Sequence, residues 1–360
     1  MNIQVYKKNI WKRLNNLKQA ELDEMSYQYC LFTANIRKFL PEYPKDKYRL
    51  FFTNLLYSRQ IEAIERYDIK LCKDLKVINS YKYNSDRYPL IFASFHLGPY
   101  ASITYHLISK GFKVVVIVDH SVYSDSGDEI IRLGNTALTN SKNSDFIVLD
   151  IKDKTSLFKL KHLILDGYVI SVYIDGNMGV ENIRGNYFDK SFTPISFFNN
   201  IVYVKNGIAK LSFLLNASIV PVISYRDENE NPVIHFYEEI KINDTKNKNE
   251  YTSRTIQQLY KILECNLKIY TTQWMEWIPI HTWLKRNWKT PYVSNLKILS
   301  LFNKDRYSLF VINNSHFLFD LYDYISYPIK SDLYDYLKNG EINRIDKDRM
   351  NELIQKNVII

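Results

Sequence analysis

Five polar residues stand at or just after the ends of apolar segments that are predicted to be buried strands: His96, Asp119, Asp150, Asp175 and Arg226. The carboxyl ends of parallel strands meet at one edge of a sheet, where α/β proteins place their chemistry. A histidine there can act as a general base, and a neighbouring carboxylate can hold its imidazole in one tautomer. As a set these residues predict a site, although Asp150 alone is better explained as a solvated strand end.

His96 lies in the most informative segment, 92–101, which is an apolar run that ends at the histidine and continues with a Gly-Pro pair. Pro99 suits the first turn of a helix, and Gly98 leaves room for a close approach of the backbone. The segment therefore predicts a strand, a histidine at its carboxyl end and the start of a helix. The plainer alternative is a histidine whose hydrogen bonds are satisfied inside a loop.

Alternating strand and helix patterns would position these residues. Helices are predicted at 155–165 and 205–215, and Val233–Tyr237 is predicted to pair with a neighbouring strand. The other predicted strands are 89–95, 112–118, 146–149, 168–174 and 218–224. This alternation predicts an α/β fold with a mainly parallel mixed sheet and helices on both faces.

The two ends of the chain have different patterns and suggest three regions. Residues 1–80 are predicted to be a helical N-terminal region packed on the core, and residues 81–288 an α/β domain that includes its terminal helices. Residues 289–360 contain a hairpin pattern with a turn at Asn313–Asn314, followed by two helical segments. They predict a small C-terminal α+β domain.

The composition limits the partners. The 360-residue chain carries a formal charge of +9 but no long run of Lys or Arg, so no DNA partner is expected. No stretch is apolar enough to span a membrane, so at most peripheral membrane contact, through residues 3–20, and a cytoplasmic location are expected.

Cys30, Cys72 and Cys265 are far apart and form no C-x-x-C pair, which predicts a reducing compartment and no metal site.

Five blocks of sequence occur in an order that is typical of one superfamily. They are His96-Leu-Gly-Pro-Tyr-Ala101, Asp175-Gly-Asn177, Phe197-Phe-Asn199, the Gly-x-Ala…Ile-Val-Pro-Val…Arg block at 207–226, and the Gln-Trp…His…Lys block at 273–285. Over about residues 45–286 the chain resembles the lysophospholipid acyltransferase-like superfamily, in its lipid A lauroyl/myristoyl acyltransferase branch. The resemblance implies a mixed sheet with helices on both sides, and transfer of an acyl group from a thioester to a hydroxyl.

The resemblance also implies that His96 is the base that deprotonates the acceptor. In the superfamily an Asp or Glu five positions later completes the motif, whereas this chain has Ala101. A residue from a neighbouring strand end would have to replace that acid, and the candidates are Asp175, Asp119 and Tyr100. Because the family's N-terminal membrane anchor has no counterpart, a soluble acceptor is expected.

The resulting prediction is an acyltransferase-like enzyme that moves an acyl group from a carrier-protein or CoA thioester to a peptide or natural-product intermediate. No bound cofactor is expected, since the thioester is a co-substrate. Backbone N–H groups near Gly98 or Gly207 would stabilise the oxyanion, and Arg226 would hold a phosphate or carboxylate. The predicted catalytic residues are His96 and Asp175, and the predicted substrate-binding residues are Gly98, Tyr100, Asp119, Asn177, Gly207 and Arg226.

Two other functions are left open. The missing acid of the motif favours a non-catalytic binding or assembly subunit that keeps the acyltransferase fold. The other is a related transferase with an aminoacyl donor, in which the basic charge would serve a tRNA or a carrier-protein phosphate. Residues 289–360 weakly resemble the winged-helix-like domains that bind leader peptides in peptide-modification enzymes, and they would then recruit the acceptor or a carrier protein.

Overall fold

The computed structural model describes residues 3–17, 19–67, 75–79, 89–138, 144–176, 188–242, 247–285 and 301–360. Asn177, one of the predicted site residues, lies outside these ranges. The chain forms two compact units, Met1–Thr53 with Trp277–Ile360, and Asn54–Glu276. These units are defined by packing, and the division into functional regions near residues 80 and 288 stays a prediction.

The strands within these ranges are, in chain order, β1 (Lys76–Asn79), β2 (Leu90–Ser94), β3 (Lys113–Val118), β4 (Asp145–Asp150), β5 (Tyr168–Tyr173), β6 (Phe192–Phe197), β7 (Asn200–Lys205), β8 (Ser218–Arg226), β9 (Pro232–Phe236), β10 (Tyr307–Ile312), β11 (Ser315–Asp320) and β12 (Ile325–Ile329). The α-helices are α1 (Ile3–Asn15), α2 (Gln19–Glu24), α3 (Ser26–Phe39), α4 (Tyr48–Glu65), α5 (Ala101–Ser109), α6 (His120–Leu138), α7 (Ser156–Leu165), α8 (Gly207–Leu215), α9 (Lys248–Leu267), α10 (Ser331–Asn339) and α11 (Lys347–Gln355).

The Asn54–Glu276 unit is built on a seven-stranded sheet with the order β1-β9-β8-β2-β5-β3-β4. Every described pairing in it is parallel except that of β8 with β9. β6 and β7 form a separate antiparallel hairpin. The prediction of a mixed, mainly parallel α/β sheet flanked by helices is therefore confirmed.

The strands form where β-branched residues follow one another, as in Lys-Val-Val-Val-Ile-Val of β3. A strand covered on both faces becomes a nearly continuous apolar run, and all five residues of β2 are buried. One apolar layer joins alternate residues of the central strands to α5 and α6; it includes Phe92, Val114, Val116, Phe146, Ile103, Leu107 and Leu133. This packing holds the carboxyl ends of the strands at fixed positions.

The other unit contains the antiparallel sheet β10-β11-β12. The predicted turn at Asn313–Asn314 joins β10 to β11, and both asparagines have positive φ, 47° and 61°. Asparagine tolerates this conformation better than most residues, which explains the turn. Helices α10 and α11 pack on β10 and β11 around Leu318, Leu333 and Leu353, so the small α+β arrangement is present.

Several elements were not predicted from the sequence, among them β12, the long helix α6 and the β6–β7 hairpin. Strand β1 was not predicted either, and it lies in the region 1–80 that was predicted to be helical. Helix α6 carries many Ser, Asp and Gly residues, and its buried residues are Gly127, Leu133, Gly134 and Ala137. Because these are few, and two of them are glycines, its apolar face was not recognised in the sequence. Across the described residues no helix has the length and the apolar character needed to cross a membrane.

Candidate functional site

The order of strands brings two of the predicted residues together. β2 lies between β8 and β5, so His96, just after β2, is next to Asp175, just after β5. Asp119 follows β3, one strand further along the edge. Among the described residues its side chain contacts Lys152, Lys205 and Ser121, and it does not reach the imidazole of His96.

The His96–Asp175 pair is closely hydrogen-bonded. The imidazole Nδ1 lies 2.8 Å from Asp175 Oδ1, and the backbone N–H of His96 donates to the same carboxylate, 3.0 Å from each oxygen. Trp274 Nε1 donates to Asp175 Oδ2 at 2.8 Å. The carboxylate is fully buried, whereas 29% of the His96 side chain remains accessible. This arrangement holds the proton of the neutral ring on Nδ1 and leaves Nε2 as the basic nitrogen.

Charge and burial act on His96 in opposite directions. Burial disfavours the imidazolium, but the adjacent carboxylate of Asp175 stabilises it by charge and by hydrogen bonding. The result is that the pKa of His96 is raised above its ordinary value. A raised pKa strengthens the imidazole as a base, and Asp175 stabilises the imidazolium that forms when it takes a proton.

Two tyrosine rings enclose the imidazole. The ring centroids of Tyr100 and Tyr173 lie 4.7 Å and 5.2 Å from that of His96. The Tyr173 hydroxyl donates to the backbone carbonyl of Tyr100 at 3.0 Å, and burial raises the pKa of Tyr173 to about 12. Burial also raises the pKa of Tyr100. Both phenols therefore stay neutral, and they shield the imidazole from water.

An ion pair between Arg66 and Glu62 contacts the hydroxyl of Tyr100. Arg66 Nη2 donates to the Tyr100 hydroxyl at 2.7 Å and pairs with Glu62 at 2.9 Å. Sequence reasoning missed this pair, along with Tyr173 and Trp274. The tryptophan stands in the Gln-Trp…His…Lys block at 273–285; it is fully buried and donates to Asp175.

The N–H of Gly98 itself is not a free oxyanion donor, while the wider hypothesis of donors near Gly98 stays a prediction. Its N–H is already used, because it donates to the backbone carbonyl of Gln273 at 3.1 Å. Its φ is +56°, and a Cβ at this position would lie 2.7 Å from the Cα of Tyr225. Gly98 therefore serves close packing of the His96 loop against β8.

We expect Gly98→Ala to destabilise the protein more than Gly111→Ala does. Both glycines have positive φ, but nothing lies within 4 Å of a Cβ at Gly111. Each change costs about 1–2 kcal/mol for the left-handed conformation, and overpacking at Gly98 adds about 1–3 kcal/mol. Denaturant unfolding of the two variants measures the difference, and equal losses would contradict the close packing.

Arg226 and Gly207 are placed differently from the prediction. Arg226 is buried, and its guanidinium is bound to the equally buried carboxylate of Glu65, with Nε 3.0 Å from both oxygens. A phosphate or carboxylate would have to displace Glu65, so this pairing counts against the predicted anion-binding role. Gly207 starts α8 at an exposed position with nothing within 4 Å of a Cβ placed there, and no contact links it to His96 within the described ranges.

The fold and the site together define a class: a mixed α/β domain with a His–Asp pair, its carboxylate buried, at the carboxyl edge of its sheet. No protein-family model matches this sequence, and no curated protein matches it either. The resemblance to the acyltransferase superfamily therefore depends on the five sequence blocks. In the part of the chain that the structure describes, no cluster of three or more His, Cys, Asp or Glu residues could hold a metal ion.

Proposed function

We propose that this protein is an acyltransferase-like enzyme in which His96 is the general base and Asp175 replaces the acid that is missing at Ala101. The observation that supports this most directly is the 2.8 Å contact between His96 Nδ1 and the buried Asp175 carboxylate. A general base that is itself oriented by a carboxylate is the arrangement that activates a hydroxyl nucleophile.

The reaction would proceed in two steps. Nε2 of His96 takes the proton of the acceptor hydroxyl as its oxygen attacks the thioester carbonyl, so that a C–O bond forms and the imidazole becomes an imidazolium. The tetrahedral intermediate then collapses, the C–S bond breaks, and the imidazolium returns its proton to the leaving thiolate. Asp175 stabilises the imidazolium between these steps but does not take the proton.

The donor would be a carrier-protein or CoA thioester, and the acceptor a peptide or natural-product intermediate that the region 289–360 recruits. The alternative of a non-catalytic subunit was considered because Ala101 stands where the motif has an acid. The Asp175 carboxylate is hydrogen-bonded to His96 Nδ1, as such an acid would be, which supports the enzyme. An aminoacyl donor would use the same base and the same proton transfers, so the donor has to be decided by experiment.

Mass spectrometry of products formed with the neighbouring genes expressed in the same cell tests this proposal. We expect an acylated or aminoacylated product with the wild type and none with His96→Ala. His120→Ala is the matched control, because His120 also pairs with a carboxylate, Asp150, at 2.6 Å, but its side chain is 59% exposed. Product from the His96 variant would refute the mechanism. The same bound ligand in every variant, with no product, would identify a binding subunit.

A further inference from the structure

One buried carboxyl group beside the site has no part in the mechanism above. Glu276 lies in a short 3₁₀-helix, Met275–Trp277, and only 8% of the residue is accessible. Its Oε2 is enclosed, and no described residue forms a hydrogen bond with it. Leaving a buried polar atom unpaired costs free energy, and a buried charge without a partner costs more.

The chain path explains why Glu276 lies beside the pair. The carbonyl of Gln273 accepts from Gly98, Trp274 forms a β-bridge with Leu97, and the Trp274 indole donates to Asp175. The segment that carries Glu276 is therefore attached to the loop that carries His96 and to the carboxylate itself. Glu276 follows Trp274 by two residues, and its carboxyl group interacts through charge with Asp175 and His96.

The two buried carboxyls differ in the donors that surround them. Asp175 receives three N–H groups, from the backbone and ring of His96 and from Trp274. Glu276 Oε2 receives none. Burial raises the pKa of Glu276 to about 8, the charge on Asp175 adds to that rise, and His96 opposes it. The third titratable neighbour of Glu276 is Tyr260, a phenol buried on α9.

We propose that Glu276 is a positioning residue for the His96–Asp175 pair: it carries a proton in the resting protein and keeps the single negative charge on Asp175. Were Glu276 ionised at neutral pH instead, a second negative charge would lie beside His96 and would raise the pKa of its ring further. Less of the ring would then be the free base at neutral pH, so the proton on Glu276 keeps the base available. This consequence for turnover depends on the proposed function, but the protonation states can be measured without any substrate.

NMR titration of the His96 ring in ¹⁵N-histidine-labelled protein tests the inference. The wild-type ring signal is expected to show its own titration and a second, smaller step near pH 8, where Glu276 ionises. Glu276→Gln mimics the protonated side chain, so it should leave the first midpoint in place and remove the second step. A fall of the first midpoint by about one unit or more would mean that Glu276 is ionised at neutral pH, and it would refute the proposal.

Glu62→Gln is the matched control. Glu62 is equally buried, but it pairs with Arg66, and its charge raises the pKa of His96. Removing it should lower the first midpoint, in contrast to Glu276→Gln. Should Glu276→Gln fail to fold, the infrared band of a protonated carboxyl in ¹³C-glutamate-labelled wild type gives the same answer. Its absence at pH 7 would refute the proposal, whether or not the protein transfers acyl groups.

Discussion

Asp175→Asn is expected to reduce transfer activity by about 10³- to 10⁴-fold, the loss caused by removing the orienting acid from a comparable triad. The asparagine amide can donate to Nδ1 of His96, which places the ring proton on Nε2. The nitrogen that faces the acceptor would then carry a hydrogen and could not act as a base. The loss should appear in kcat, because the Asp175 carboxylate is fully buried and would act on the acceptor only through the imidazole.

Asp150→Asn is the matched control for this prediction. Asp150 also binds a histidine, His120, through Nδ1, but that pair lies at the end of β4 and the imidazole is largely exposed. Activity with this variant should equal that of the wild type. Activity of the Asp175 variant within tenfold of the wild type would show that the carboxylate does not orient the base. Circular dichroism of both variants would exclude misfolding as the cause of a loss.

Glu65→Gln is expected to destabilise the protein by about 3–5 kcal/mol, the usual cost of leaving a buried charge without its partner. Only 3% of the Glu65 side chain and 4% of the Arg226 side chain are accessible, so water cannot replace the lost carboxylate. The measurement is the free energy of unfolding in denaturant. The double variant Glu65→Leu with Arg226→Met should recover much of the loss, because apolar side chains can replace a buried pair.

An exposed ion pair is the control for the Glu65 variant. Arg344→Gln breaks a pair with Glu341 whose partners are 62% and 37% exposed, and solvent screening should leave stability nearly unchanged. Similar stabilities for the Glu65 and Arg344 variants would contradict a buried ion pair. The same experiment bears on Arg226: a structural arginine changes stability when its partner is lost, whereas a substrate-binding arginine changes KM.

Local patterns in the sequence determined most of the α/β elements. The run Lys113–Val118 predicts a strand because β-branched residues fit a pleated, buried surface, and Asn313–Asn314 predicts a turn because asparagine accepts positive φ. The same patterns placed His96 and Asp175 at strand ends. Each of these inferences uses neighbouring residues only, which is why the sequence was sufficient for them.

Only the tertiary structure decided which strand ends meet. β5 lies beside β2 although β3 is nearer in the chain, so His96 meets Asp175 and not Asp119. The pairing of Arg226 with Glu65 joins residues 161 positions apart. Glu276 reaches the pair only because its segment is attached to the His96 loop. The order of the strands and the attachment of one segment to another depend on how entire strands and helices pack together. A pattern in neighbouring residues does not determine that packing.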